Sequence, residues 1–277
     1  MKSHRIGFLG GGNMARALIG GLIGRGTPAR HLSVGEPAAP TRELLARDFQ
    51  VRVHADNEAA IAGCELIILA VKPQEAGTVL RSLAPQLQTA RPVLLSIAAG
   101  IRIASLHAWA GPAVPIIRSM PNRPALIGAG VTGMYAAADV TPAHRELAEY
   151  VMHAAGESVW VNRESDLDVV TALSGSGPAY FFLLAELMMQ AAIGAGLEPE
   201  AARRLAVATL HGAGALADAS DGNLARLRQE VTSKGGTTEA ALTAFAAADL
   251  TGVVARAMQA ATRRSRELAA NFGDAVQ

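Results

Sequence analysis

The chain has a single cysteine, Cys64, in 277 residues, so no intramolecular disulfide can form. That suits a reducing compartment, and a cytoplasmic protein is expected. It also lacks net charge: 25 Lys and Arg offset 24 Asp and Glu, leaving +1. No field of one sign exists to draw in nucleic acid or an acidic partner. The seven histidines are scattered, with no H-E-x-x-H and no Cys/His pairing, so no metal is expected. His107, His144, His153 and His211 read as surface or packing residues. No nucleophile stands beside a base; Ser174 and Ser176 read as part of a Gly-Ser-Gly turn without one. The most apolar stretch, 178–196, is interrupted by Glu186 and Gln190, so it is expected as a buried helix and not a membrane span. The first strand is expected within a few residues of Met1, so no secretory leader is expected. If a bound cofactor carries the difficult chemistry, the protein need only orient two reactants and exclude water.

Half of the residues are hydrophobic, enough for one or two well-filled domains. Arg5-Ile6-Gly7-Phe8-Leu9 reads as a buried strand, followed by Gly10-Gly11-Gly12-Asn13-Met14-Ala15 and an apolar helix from about Ala15 to Ile23. This is the G-x-G-x-x-G/A dinucleotide fingerprint in its strand–turn–helix setting. Gly10 permits the tight turn, Gly12 removes a side chain that would block a pyrophosphate, and Ala15 lets the helix pack on the strand. A second strand, about His31 to Val34, leads to Glu36. A carboxylate there can accept hydrogen bonds from ribose hydroxyls and would repel a 2′-phosphate, which leans towards NADH. Arg42 nearby can oppose that lean, and both charges would look the same on a solvated loop.

Leu66–Val71 is a continuous apolar run suited to a sheet covered on both faces. Ligands of open α/β sheets sit beyond the carboxyl ends of the strands, which places Ala70, Val71, Lys72 and Pro73 along a cofactor. Val93–Ile97 ends at Ala98-Ala99-Gly100, and Pro115–Met120 ends at Pro121-Asn122. These small or polar ends leave room for a ligand, although ordinary turns use the same residues.

The character of the chain changes near Asn162. Beyond it, helical periodicity covers about 165–172, 178–196, 199–219, 223–231, 238–248 and 250–271. The expected fold class is α/β: a Rossmann-type nucleotide domain over residues 1–162, then an all-helical domain over 163–277. Helices such as the one holding Phe181-Phe182-Leu183-Leu184-Ala185 are apolar all round and need burial on every side, so a partner subunit is expected to cover them.

The stretch from Glu230 to Leu242 places two glycines and four hydroxyl side chains just before a helix. Glycines allow close backbone approach, and the free N–H groups of a helix start attract a carboxylate. An ordinary helix capped by Thr237 or Thr238 would look alike.

Five segments together resemble the pyrroline-5-carboxylate reductases in order and spacing: Gly10–Ala15, Ala70–Gln74, Met120–Asn122, Leu173–Tyr180 and Val231–Thr238. The resemblance runs from about Arg5 to Leu268. It implies hydride transfer from NADPH or NADH to the C=N carbon of 1-pyrroline-5-carboxylate, giving proline. It also implies a homodimer with intertwined helical domains, often built into a decamer. By motif, the substrate carboxylate is held by Ser233, Gly235, Gly236, Thr237 and Thr238, with the N–H groups of Gly236, Thr237 and Thr238 and the hydroxyls of Ser233 and Thr238 as donors. Thr171 falls near the ring nitrogen, and it and Thr238 are the catalytic candidates. The cofactor falls to Gly10, Gly12, Asn13, Met14, Glu36, Asn57, Ala70, Val71, Lys72, Pro73, Ala98, Ala99, Gly100 and Asn122, with Asn57 near the adenine or ribose.

Three positions depart from the family pattern. Arg123 stands where Thr is usual, Lys234 where Pro is common, and Glu36 where several NADPH-using members carry a small hydroxyl residue. The alternatives are another imine or β-hydroxyacid reductase on the same two-domain plan, and a non-catalytic nucleotide-binding sensor. The former usually rely on a lysine or acid early in the second domain, where only Asp166 and Asp168 come close.

Overall fold

The structure, a computed structural model, describes residues 4–274, with side chains to Asn271. Its chain forms two compact units, residues 1–175 with 261–277, and residues 176–260. The first is a doubly wound sheet. Strands β1 (Ile6–Leu9), β2 (Leu32–Gly35), β3 (Arg52–His54), β4 (Leu66–Leu69), β5 (Val93–Ser96), β6 (Ile116–Met120), β7 (Gly130–Ala136) and β8 (Gly156–Trp160) lie in the order β3-β2-β1-β4-β5-β6-β7-β8. All neighbours are parallel except β6 and β7. β1 sits between β2 and β4, so the chain reverses its winding there. That reversal opens the crevice in which such sheets bind ligands.

β1, β2, β4 and β5 are buried at every position, because helices cover both faces. Alternate residues of β4 feed different cores. Leu66 and Ile68 join Phe8, Val34 and Leu18 on one face, and Ile67 and Leu69 join Leu80, Leu106 and Trp109 on the other. Helix α1 (Asn13–Gly24) supplies Ala15, Leu18, Ile19 and Leu22 to the first core. Helices α2 (Ala39–Phe49), α3 (Asn57–Ile61), α4 (Pro73–Ala90), α5 (Ile103–Ala110) and α6 (Pro142–Met152) complete the layers. The second strand starts at Leu32 and not at His31, because Ala29–His31 form a 3₁₀ turn after Pro28. The edge strand β3 has three residues and is half exposed, too short to stand out in sequence.

Helix α7 (Asp166–Val170) runs into a π-helical turn, Thr171–Gly175. The expected Gly-Ser-Gly turn is therefore a wide helical one up to Gly175, and Ser176 caps the next helix. The division between compact units falls after Gly175 and not at 162, since α7 packs against β6 and β7. The remaining helices are α8 (Gly177–Gly194), α9 (Pro199–Asp218), α10 (Leu224–Glu230), α11 (Thr237–Ala247) and α12 (Leu250–Asp274), whose residues from 261 belong to the first unit. Within the single chain α8 is not buried, which accords with the expectation that a partner subunit covers it. Phe181 and Phe182 are each 61% exposed, and Leu183, Leu184, Leu187 and Met188 are exposed as well. The span Asp166–Gly194 is long and apolar enough to cross a membrane by length and composition alone.

Candidate active site

The carboxyl ends of β1, β2 and β4 meet at the glycine turn. The Gly10 N–H donates to Gly35 O at 2.8 Å, and the Ala70 N–H donates to Leu9 O at 2.8 Å. Gly10 has φ of +99°, and a Cβ there would lie 2.8 Å from Ala70 O, so both turn and close approach demand glycine. Gly12 differs. It has ordinary extended φ, is exposed, and a Cβ on it would meet nothing within 4 Å. No protein atom requires glycine at 12, and the space beside it at the start of α1 is open to a ligand. Gly12 precedes α1 without a side-chain cap, and no acid lies in the first turn of α1. The helix start is therefore left to an outside anion such as a pyrophosphate. These residues fit a dinucleotide.

Around the turn, Gly12, Asn13, Lys72 and Ala99 are exposed, and Met14, Glu36, Asn57, Ala70, Val71, Pro73 and Gly100 are half-buried. Ala98 instead packs into the core and is only 6% exposed. Glu36 is held at the end of β2: its carboxylate accepts the Gly11 N–H at 3.0 Å and the Ala38 N–H at 2.9 Å. Arg42 does not pair with that carboxylate; it donates to the backbone carbonyls of Glu36 and Pro37. Asn57 begins α3 beside Gly35, with its Oδ1 2.2 Å from where a Gly35 Cβ would stand.

Asn122 is 8% exposed, and its amide is committed within the protein. Nδ2 donates to Ser174 O at 3.1 Å, and Oδ1 accepts the Val131 N–H at 2.9 Å. It thus splices the end of β6 to β7 and to the π-helical turn. In that turn the Thr171 hydroxyl donates to Leu167 O at 2.7 Å, and the Ser174 hydroxyl donates to Val170 O at 3.0 Å. The Thr171 proton is therefore engaged within the helix, and its oxygen lone pairs remain to accept a hydrogen bond.

Two carboxylates precede this turn: Glu164, which the sequence reading missed, and Asp168, which it named without a partner. Glu164 accepts from Arg118 at 2.6 Å and from the Ile103 N–H at 2.7 Å, tying β6 to the start of α5. Burial pushes the Arg118 pKa down, and Glu164 opposes the shift. Asp168 is 5% exposed; its Oδ1 accepts the Ser265 hydroxyl at 2.8 Å, and its Oδ2 lies 3.6 Å from Arg102 and 3.9 Å from Arg266. Nothing in the sequence spacing links positions 97 residues apart.

The second unit carries the hydroxyl-rich loop. The Gly236 N–H donates to Ser233 O at 3.0 Å, so it is spent on the turn and is not free for a substrate. The Gly235 N–H is likewise engaged, by Glu239 Oε2 at 2.6 Å. Gly236, and neither threonine, is the N-cap of α11, and no side chain caps it. The first ladder bond of α11 runs from the Ala240 N–H to Gly236 O at 3.2 Å, so the N–H groups of Thr237 and Thr238 precede the ladder. Glu239, at the third helical position, was legible in principle, since that is where a capping-box acid reaches back.

A separate cavity of about 690 Å³ opens at the amino ends of β1, β4 and β5, lined in part by His4, Cys64, Glu65, Arg91, His144 and Tyr150. It lies at the sheet end opposite to the ligand-binding one. Among the described residues no group of three or more His, Cys, Asp and Glu is placed to hold a metal ion.

The sheet order, the glycine turn and the open position at Gly12 are those of a dinucleotide-binding protein, here with a helical unit in the same chain. Residues 5–100 match the family described as NADP oxidoreductase coenzyme F420-dependent, and residues 164–268 match that described as pyrroline-5-carboxylate reductase dimerisation. The chain is 44% identical to the pyrroline-5-carboxylate reductase of Pseudomonas aeruginosa, covering 99% of this chain and 100% of that one. It superimposes on a pyrroline-5-carboxylate reductase from Coxiella burnetii with a TM-score of 0.94, 35% identity and 96% and 99% coverage of the two chains. A Plasmodium falciparum pyrroline carboxylate reductase with NADP bound gives a TM-score of 0.82 at 27% identity, with 97% and 99% covered. The chain belongs to the pyrroline-5-carboxylate reductase family.

Proposed function

We propose that this protein reduces 1-pyrroline-5-carboxylate to proline with NADPH or NADH. The full-length relatedness carries the reading, and the cleared Gly12 beside a helix start supports it from geometry. The bound nicotinamide supplies the hydride. The two electrons and the hydrogen go to the ring carbon of C=N, and the nitrogen ends as a secondary amine carrying one further proton. The chain has four tasks: to hold the cofactor, hold the substrate, keep water out and accommodate that proton. Gly10, Gly12, Asn13 and Met14 cradle the phosphates. Glu36 and Asn57 face the adenosine end. Ala70–Pro73, Ala99 and Gly100 line the crevice, and Asn122 supports its edge from within.

The substrate carboxylate is held by the N–H groups of Thr237 and Thr238 and the hydroxyls of Ser233 and Thr238. Gly235 and Gly236 shape the loop. With its proton committed to Leu167 O, Thr171 acts as an acceptor for the N–H of a substrate that arrives already protonated. A general acid is then not needed. The test is loss of NADPH or NADH absorbance on adding 1-pyrroline-5-carboxylate, with proline measured as product. A folded sample that binds the cofactor and forms no proline would refute the reading.

The exposed apolar side chains of α8 belong to an interface between copies of the chain, and a cytoplasmic homodimer, assembling further to a decamer, is the form we assign. Neither nucleic acid nor a membrane enters this reading. Light scattering at low micromolar concentration should give a dimer or a multiple of it. An active monomer would contradict this.

A further inference from the structure

We propose that Glu239 is a positioning residue of the substrate loop, holding it in the conformation that leaves the Thr237 and Thr238 N–H groups for the substrate carboxylate. The proposal rests on the loop being the substrate seat. Its own observation is the 2.6 Å bond from the Gly235 N–H to Glu239 Oε2. That distance is short for an N–H donor and typical of a charge-assisted bond.

The need for such a hold follows from the backbone. Two adjacent glycines, Gly235 with φ of +73° and Gly236 with φ of −86°, leave the segment with more freedom than any other pair of residues would. Lys234 has negative φ and imposes no restraint of its own. Ser233 O takes the Gly236 N–H, which closes the turn at one point only. Glu239 closes it at a second point from the first turn of α11, where the helix dipole also favours a carboxylate. The internal carboxylate takes the Gly235 N–H and stops short of the next donors. With the Gly235 N–H occupied by Glu239, the donors left to an incoming carboxylate are those of the threonines.

The experiment is steady-state kinetics of the intact enzyme with 1-pyrroline-5-carboxylate. Glu239→Ala is expected to raise the substrate KM by roughly tenfold while kcat and the cofactor KM stay within about twofold. Glu239→Gln keeps an oxygen acceptor at the same reach but loses the charge, and its KM is expected to fall between wild type and Glu239→Ala. Glu239→Asp keeps the charge, loses the reach, and is expected to behave like Glu239→Ala; it is the second variant should the alanine fail to fold. Adding Lys234→Pro to Glu239→Ala restrains the same turn through a ring and is expected to recover most of the lost KM. Wild-type KM in Glu239→Ala and Glu239→Asp would overturn the proposal, as would a Glu239→Gln as impaired as Glu239→Ala. Thr238→Ala separates the two levels. If it leaves the substrate KM unchanged, the loop is not the substrate seat; if it raises KM and Glu239→Ala does not, only the role of Glu239 fails.

Discussion

The carboxylate of Glu36 accepts the backbone N–H of Gly11 at 3.0 Å, which fixes a negative charge against the glycine turn at the end of β2. A second bond, from the Ala38 N–H, prevents it from swinging into solvent. With the adenosine ribose at this strand end, as proposed above, a 2′-phosphate would meet that charge, whereas ribose hydroxyls could donate to the same oxygens.

Cofactor preference should therefore follow this charge. Two unit charges about 4 Å apart repel by about 4 kcal/mol at an effective dielectric of about 20. Relief of a third of that raises the NADPH to NADH ratio of kcat/KM by about tenfold. Glu36→Ser should show this rise. Glu36→Gln, which keeps an acceptor for Gly11, should show it with the turn intact. An unchanged ratio in both would assign the choice to Arg42 or the backbone.

Gly10 and Gly12 should separate folding from binding. Gly10→Ala forces a Cβ into Ala70 O at a positive φ and should cost about 1–3 kcal/mol of stability. Gly12→Ala meets no protein atom, so thermal unfolding should stay near wild type while cofactor KM rises several-fold. Equal cofactor affinity in Gly12→Ala and wild type would remove that position from the binding surface.

Asp168 and Ser265 should be strongly coupled. Asp168→Ala strips the carboxylate from Ser265, Arg102 and Arg266 and should destabilise by more than loss of the Ser265 bond alone, although both arginines reach solvent. Ser265→Ala should cost less, about 1.5–3 kcal/mol, as one bond to a charged group. In a double-mutant cycle by chemical denaturation the two losses should be far from additive. Additive losses would mean that the bond contributes nothing.

Cys64 gives a pH signature. Burial pushes its thiol up from 9.0 to about 11. Below pH 9 both folded and unfolded thiols are protonated, and the contribution is fully present. As pH rises from 9 to 11 the unfolded thiol ionises first, so the contribution fades by up to roughly 2–3 kcal/mol. Wild type minus Cys64→Ala, measured by denaturation across that window, should fall with pH. Around pH 7.5 the native thiol should react slowly with alkylating reagents, although it borders the amino-end cavity.

The sequence by itself determined the elements that local chemistry specifies. A run of apolar residues covered on both sides makes β1, β4 and β5 legible, and the helices after Asn162 start and stop within a few residues of where their periodicity places them. The need for glycine at position 10 and the apolar excess of α8 were equally readable, because each is a property of a short segment. Hydrogen-bond assignments were not. Which donors of the 235–238 loop remain free depends on Ser233 O and Glu239 reaching Gly236 and Gly235 first. The Thr171 proton is taken by a carbonyl one helical turn back, and the Asn122 amide by two distant backbone groups. The link between Asp168 and Ser265 joins residues far apart in the chain. A polar group in a folded interior must find its partner among whatever the packing brings near, and that is settled by three-dimensional proximity, which residue order alone does not encode.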